Sequence, residues 1–394
     1  MAGGRRSAGA GGPVASRRRA VAAAYFFVFF GAGVYLPYFP LYLAHLGFRG
    51  AEIGLVVGLQ PLLRYASAIG WSYAADRWRV RHRLQVMTGL AGSLLFVPLL
   101  AVHEFTAVMT VMTAIGLLHG TLVPMLDATV VDHVADLGGD YGRLRVWGSI
   151  GFIAGALLSA LMVRLLSVAV IPWLLLIPGA GLVPSLIGLP HEQRGHAQAF
   201  RAPWALLSPS MTAFLATTFL VQVSCGGWSG FFAAHTRSLG LSDAVPGIAF
   251  SVAVVAEVGL MVWNRRLVDW ITPQALIVVA LVVTIVRWAG TAVAGTETAV
   301  VLLQVGHTFT FSVFHLAALR LLARLVPPES TTGGQALYGL VGFGIGGSMG
   351  LWIAGVLVEQ LGTAWLFGFE AVVAGLGLLP AFRLLQLERE GGTA

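Results

Sequence analysis

The chain has 394 residues, of which 57% are hydrophobic and only 10% charged, and its mean hydropathy is +0.83. A soluble domain carries about 25% charged residues, so a soluble globular fold is excluded. The net charge of +7 comes from 24 arginines and no lysine, set in short loops between apolar runs, which argues for a membrane protein and against a nucleic-acid partner.

Residues 1–19 are rich in Gly, Ala and Arg and read as a disordered basic tail on the cytoplasmic side. The apolar run from Ala20 is too long for the core of a cleaved signal peptide. Apolar runs of about 20 residues mark helices that cross a bilayer. Twelve are predicted, at 20–45, 50–75, 83–102, 105–133, 143–166, 168–189, 208–237, 244–264, 272–294, 298–325, 332–359 and 363–386. Residues 190–207 form a polar cytoplasmic linker, which divides an N-terminal six-helix bundle, 20–189, from a C-terminal one, 208–387. A short tail, 388–394, ends the chain. The arginines set the orientation: by alternation of the loops, 19 of the 24 fall on one side. Arg49, Arg164 and Arg237 fall on the other. Both termini are therefore expected to be cytoplasmic.

The first span carries Pro37 and Pro40 among Tyr35, Tyr38, Phe39 and Tyr42. The prolines should bend it, and the aromatics either line a cavity or belt the interface. The loop after the second span, Ala75-Asp76-Arg77-Trp78-Arg79-Val80-Arg81-His82-Arg83, offers Asp76 and Arg77 for gating contacts that form in one state and break in the other. The fourth span holds His119, Asp127 and Asp132, and the fifth opens on Tyr141-Gly142-Arg143-Leu144-Arg145. Asp127 needs a partner, and Arg145 on the adjacent helix is the expected one. The seventh span holds the single cysteine, Cys225, so no intramolecular disulfide exists.

Three ionisable residues lie inside the later spans: Glu257, Arg287 and His307, with Gln304 one turn from the histidine. A charge at the bilayer centre costs about 2.5–3.5 kcal/mol, so such residues face one another or a wet cavity. A rise of about 1.5 Å per residue puts all three roughly 10–20 Å from the outer ends of their helices. The trio reads as a proton relay, because Arg⁺ favours the neutral imidazole and Glu⁻ the protonated one.

A shift of 193 residues superposes Phe26 on Phe219, Gly33 on Gly226, Gly54 on Gly247 and Asp76 on Asp269. It also sets Arg64 on Glu257, so a buried base and a buried acid hold equivalent places. Glycine-rich strings such as Gly346-Gly347-Ser348-Met349-Gly350 mimic hydrolase and dinucleotide motifs, but they lie inside one span and read as helix-packing sites. With no nucleophile–base pair and no His-Glu-x-x-His spacing, neither an enzyme nor a metal site is expected.

Six plus six helices in parallel repeat resemble the major facilitator superfamily, with a solute site between the halves. The loop at Asp76–Arg77 resembles that superfamily's signature, except that Ser72 stands where a Gly is usual and Trp78-Arg79 replaces Leu-Gly. The positions of Glu257, Arg287, His307, Asp127 and Arg145 resemble the lactose permease-like branch. Phe152 replaces that branch's sugar-stacking Trp, and Thr310 its coupling Glu. Val286-Arg287-Trp288, Gln304-Val305-Gly306-His307-Thr308-Phe309 and His315 resemble more closely the phenylpropionate permease-like branch.

The resemblance implies a transporter in the cytoplasmic membrane that moves an aromatic acid or sugar-like solute by proton symport. The proton gradient is the energy source and no cofactor is needed. The candidate substrate-binding or proton-coupling residues are Glu257, Arg287, His307, Asp127 and Arg145, which the resemblance implies, with Arg64 from the repeat and Gln304 from its spacing to His307. Expected partners are the solute, protons and the lipid bilayer, with the protein a monomer. Proton-coupled efflux and a non-transporting sensor on the same fold remain as alternatives.

Overall fold

A computed structural model of the chain describes residues 11–137, 140–190, 206–263 and 270–391. Their regular structure is helical throughout: α1 (Gly11–His45), α2 (Gly50–Trp78), α3 (Arg81–Leu94), α4 (Phe105–His119), α5 (Leu122–Asp132), α6 (Tyr141–Leu165), α7 (Ile171–Ile187), α8 (Pro209–Val223), α9 (Gly226–Ser238), α10 (Val245–Trp263), α11 (Pro273–Val293), α12 (Glu297–Leu303), α13 (Phe314–Leu325), α14 (Thr331–Tyr338), α15 (Gly347–Leu361), α16 (Leu366–Leu376) and α17 (Leu378–Gly391). Eleven helical stretches among the described residues are long and apolar enough to cross a bilayer. Five of them join two helices across a local irregularity: α4–α5, α8–α9, α12–α13, α14–α15 and α16–α17. The stretch expected as the eighth span is α10, whose apolar part, Val245–Leu260, is shorter. The expected linker lies almost wholly outside the described residues.

Helix starts follow the chemistry of their caps. Ser208, Thr272 and Thr296 accept hydrogen bonds from the backbone N–H three residues on, and so does Asp140 ahead of α6. Each satisfies an amide that would otherwise have no partner. Pro209 and Pro273 occupy first-turn positions, where a missing N–H loses nothing. At the other extreme, α1 begins at Gly11. Residues 11–19 are thus helical rather than the disordered tail their composition suggests. Pro13 suits a first turn, and the Ala, Val and Arg that follow carry no stop signal.

Glycines set the helix seams. A Cβ on Gly33 would run into the backbone of Phe152, seating α1 on α6, and one on Gly226 would run into Gly350, seating α9 on α15. A Cβ on Gly54 would meet the Leu351 carbonyl of α15, and one on Gly247 the Ala156 carbonyl of α6. The 193-residue shift therefore maps contacts onto contacts as well as glycines onto glycines. The glycine string of the eleventh span does the same work: Gly346 meets Phe219 and Gly350 meets Val223.

The seams between residues 20–189 and 208–387 are closed by main-chain contacts at the end that bears Arg49 and Arg237. There Gly50 and Gly355 stand backbone to backbone, and Glu359 accepts from the Ala51 N–H at 2.9 Å. Tyr38 donates to the Asp243 carbonyl at 2.9 Å and accepts from Gly247 at 3.1 Å. A buried apolar cluster that includes Phe39, Phe152, Phe250 and Leu351 joins both groups of helices at this end. Two further clusters each belong to one group alone. The α1 aromatics thus face inward, and the interfacial belt is set aside.

Candidate functional site

The tenth span leaves α geometry where its polar residues lie. Gln304–Gly306 is a 3-10 turn and Phe309–Val313 a π-helical turn. Such irregularities re-aim side chains and recur at functional sites. They turn Gln304 and His307 toward Arg287 of α11 and Glu257 of α10. Arg287, 2% exposed, donates through Nε and Nη2 to Gln304 Oε1 at 3.2 and 2.6 Å. Its Nη1 lies 3.1 Å from His307 Nδ1, and His307 Nε2 lies 2.9 Å from Glu257 Oε1. Gln304 is held in turn by the Val300 carbonyl at 2.9 Å. The structure thus brings four of the expected residues into one chain of contacts.

This order assigns the tautomer. A guanidinium only donates, so His307 Nδ1 accepts and Nε2 carries the hydrogen that reaches Glu257. A second proton on the imidazole must go to Nδ1 and would break the Arg287 contact. Aromatic rings cover the arginine: the guanidinium carbon lies 4.0 Å from the Trp288 ring centre and 4.9 Å from that of Trp228. Trp228 also stacks on His307 and Phe250, at 4.3 and 4.1 Å between ring centres. Phe152 sits against Phe250 at 6.4 Å and is itself buried.

The expected Asp127–Arg145 pair is not formed. Asp127 accepts from the hydroxyls of Tyr25 at 2.5 Å and Tyr141 at 2.9 Å. Arg145 lies over the rings of Phe29 and Tyr25, 4.2 and 5.4 Å from their centres. Two phenols satisfy a carboxylate without burying a second charge, so the arginine is left to stack. Asp132 pairs with Arg81 at 2.6 Å. His119 packs against Phe96 and carries no hydrogen-bonded Nε2.

Arg64 lies apart from the trio. It lines a cavity of about 190 Å³ between α1 and α2 on one side and α8, α9 and α15 on the other. Gln60, Gln222, Tyr35, Tyr65, Phe343 and Ser229 share the wall. Among the described residues Arg64 has no carboxylate partner, and Tyr65 stacks on Phe343 in the cavity wall with ring centres 6.0 Å apart. The cavity and the trio meet at one turn of α9, where Cys225 and Ser229 line the cavity while Trp228 covers Arg287.

At the expected gating loop, Arg77 is exposed in the last turn of α2, and the Asp76 side chain lies outside the described residues. Arg79 caps α2 in the left-handed region, at φ 54°. A glycine adopts that conformation freely, whereas a Cβ there costs about 1 kcal/mol or more. Arg79→Gly is expected to raise stability by about 1 kcal/mol, read as a higher thermal unfolding midpoint of the purified protein. An unchanged or lower midpoint would remove the strain from the account.

Two residues escaped the sequence reading. Glu370 of α16 is 1% exposed and accepts from the Gly227 N–H. The rule that singled out Glu257, an acid inside an apolar span, applies equally to Glu370 and could have found it. Trp228 carried no signal, since its role depends on what α9 packs against. Among the described residues no group of three His, Cys, Asp or Glu is placed to hold a metal ion.

The model of the MFS_1 like family matches residues 19–369. The chain is 30% identical over 368 residues to a probable 3-phenylpropionic acid transporter of Escherichia coli (strain K12), covering 90% of this chain and 94% of the relative. It is 27% identical over 372 residues to a maltose permease of Geobacillus stearothermophilus, covering 93% and 94%. Among solved structures, the nucleoside transporter NupG superposes with a TM-score of 0.79 at 19% identity, covering 94% of this chain and 98% of that one. A bacterial homologue of the lysosomal transporter Spinster, in an inward-facing and occupied conformation, gives 0.69 at 14% identity, covering 94% and 96%.

Proposed function

The chain belongs to the MFS_1 like family of membrane transporters, and on that premise we propose that it takes up a small organic solute, an aromatic acid or a sugar-like one, by proton symport. It is a multi-pass membrane protein and not an enzyme. In this reading twelve helices form two six-helix halves, 20–189 and 208–387, joined by the linker 190–207, with both termini in the cytoplasm. The halves rock about a solute bound between them, with the proton gradient as energy source, no cofactor, and a monomer as the working unit.

The carrying observation is the Glu257–His307–Arg287–Gln304 chain, because protonating His307 must detach Arg287. A proton entering from Glu257 therefore changes the contacts of a cation that Trp228 links to the cavity wall. The solute class is supported by the cavity: Arg64 offers a carboxylate a planar fork, and the stacked Tyr65 and Phe343 give the wall an aromatic surface. The relatives named for 3-phenylpropionic acid and maltose fit an aromatic acid or a sugar-like solute. The closed seam at Gly50 and Gly355 fits the inward-facing half of the cycle.

The test is uptake into liposomes holding the purified protein, with labelled 3-phenylpropionate, maltose and uridine as probes. An inward proton gradient should accelerate uptake of at least one probe, and a protonophore should cancel the gain. His307→Ala should retain exchange of that probe but lose at least about tenfold in gradient-driven accumulation, equivalent to about 1.4 kcal/mol. Flux that ignores the gradient would rule out symport, and a gradient that drives the probe outward would favour efflux.

A further inference from the structure

The seventh span breaks between α8 and α9, at Ser224 and Cys225. Two glycines follow, and the Cys225 side chain makes no capping bond to the amino end of α9. A half-helix that starts inside a membrane exposes amides and a positive dipole end that need a partner. The partner is Glu370, one helix away on α16. Its Oε1 accepts from the Gly227 N–H, while Oε2 is buried and has no hydrogen-bond partner. A Cβ on Gly227 would meet this carboxyl oxygen and Leu366, so the glycine is what lets the acid approach.

A buried carboxyl with one oxygen engaged and one free is half satisfied in either protonation state. As a carboxylate it makes a charge-assisted bond to the half-helix, roughly twice as strong as a neutral one. As a carboxylic acid it keeps only the weaker bond. The charged and titratable groups facing it are few. Arg287 of α11 and the Cys225 thiol act on it electrostatically, and His235 of α9 packs on Phe367 one turn away. The residues of α8, Pro209–Val223, include no titratable side chain. On α15, Glu359 is engaged with Ala51 and Arg49, and on α17 Arg383 bonds Gln386.

We propose that Glu370 is a proton-binding site that latches the broken seventh span. Ionised, its carboxylate fastens the amino end of α9. A proton from solvent, reaching the turn at Cys225 and Gly226 on the cavity wall, adds to Oε2, forms one O–H bond and weakens the hold on Gly227. The donating hydronium loses that proton and leaves as water, and no other covalent bond forms or breaks. Because α9 carries Ser229 in the cavity wall and Trp228 over Arg287 and His307, loosening this turn moves both. Glu370 is thus a positioning residue for the solute cavity and the trio together. The proposal goes beyond the symport reading, and its test uses no solute.

Amide hydrogen exchange in residues 224–231 of the full protein in lipid nanodiscs, corrected for intrinsic chemistry, reads the latch directly. From alkaline to acidic pH the wild-type segment should lose about tenfold of its protection, the change that weakening one charge-assisted bond gives. Glu370→Gln, a permanently neutral group of the same shape, should exchange at the fast acidic level at every pH. Parallel profiles for the two proteins, or a wild-type segment indifferent to pH, would overturn the proposal. If Glu370→Gln does not fold, pH-difference infrared spectra of the wild type and Glu370→Asp decide. A carboxylic-acid band that appears on acidification should shift in the aspartate variant, and an unshifted spectrum overturns the proposal.

Discussion

Arg287→Met should cost the protein at least about 3 kcal/mol of stability and lower transport by about a hundredfold or more. The arginine is 2% exposed and makes every polar contact on one side of Gln304 and His307. Removing it leaves Gln304 Oε1 without its donors, a loss of about 1–3 kcal/mol. It also leaves the half-buried Glu257 carboxylate without the nearby cation, a loss above the roughly 1 kcal/mol of an exposed pair and below the roughly 3–5 kcal/mol of a fully buried one. The double variant Arg287→Met with Glu257→Gln removes both charges and should recover most of the lost unfolding temperature while flux stays low. That split separates the electrostatic role from packing against Trp228 and Trp288. If the two substitutions destabilise additively, the residues do not act through one network and the relay loses its basis.

The second large effect concerns the closed seam. A Cβ on Gly355 would collide with the Gly50 carbonyl, and the next contacts are also main-chain atoms, so no side chain can give way. Overpacking of this kind costs about 1–3 kcal/mol, and more where backbone must move. Gly355→Leu is expected to hold the halves apart at the end that bears Arg49. Cys225 reports on this, being the only cysteine in the chain and part of the cavity wall. An impermeant thiol reagent added on the Arg49 side should label it at least about tenfold faster in Gly355→Leu than in the wild type. Equal rates in two folded proteins would mean that this seam does not control access to the cavity.

Some of the site was visible before any coordinates, and the boundary is physical. Glu257, Arg287, His307 and Gln304 stand out because hydrocarbon makes any polar residue conspicuous, and helix rise alone gives each its depth. Asp127 stands out for the same reason, but its partner does not. Tyr25, Tyr141 and Arg145 are all near enough on helical counting, and the packing of α1 against α6 favours the phenols. Arg64 and Glu257 are equivalent by repeat, yet one lines the cavity and the other joins the trio, because the repeat fixes where a residue sits along a helix and not what lies across from it.

Residue order alone places the chain in a bilayer, outlines its spans and marks the residues too polar to ignore. Those follow from hydropathy and loop arginines, both local along the chain. Only the tertiary structure decided that Trp228 covers the trio, that Glu370 caps a broken helix 143 residues away in the chain, and that Gly50 and Gly355 close one end. These depend on which helix faces make contact. In lipid that choice rests on close packing at small residues and on a handful of polar partners, and neither can be read from one helix alone.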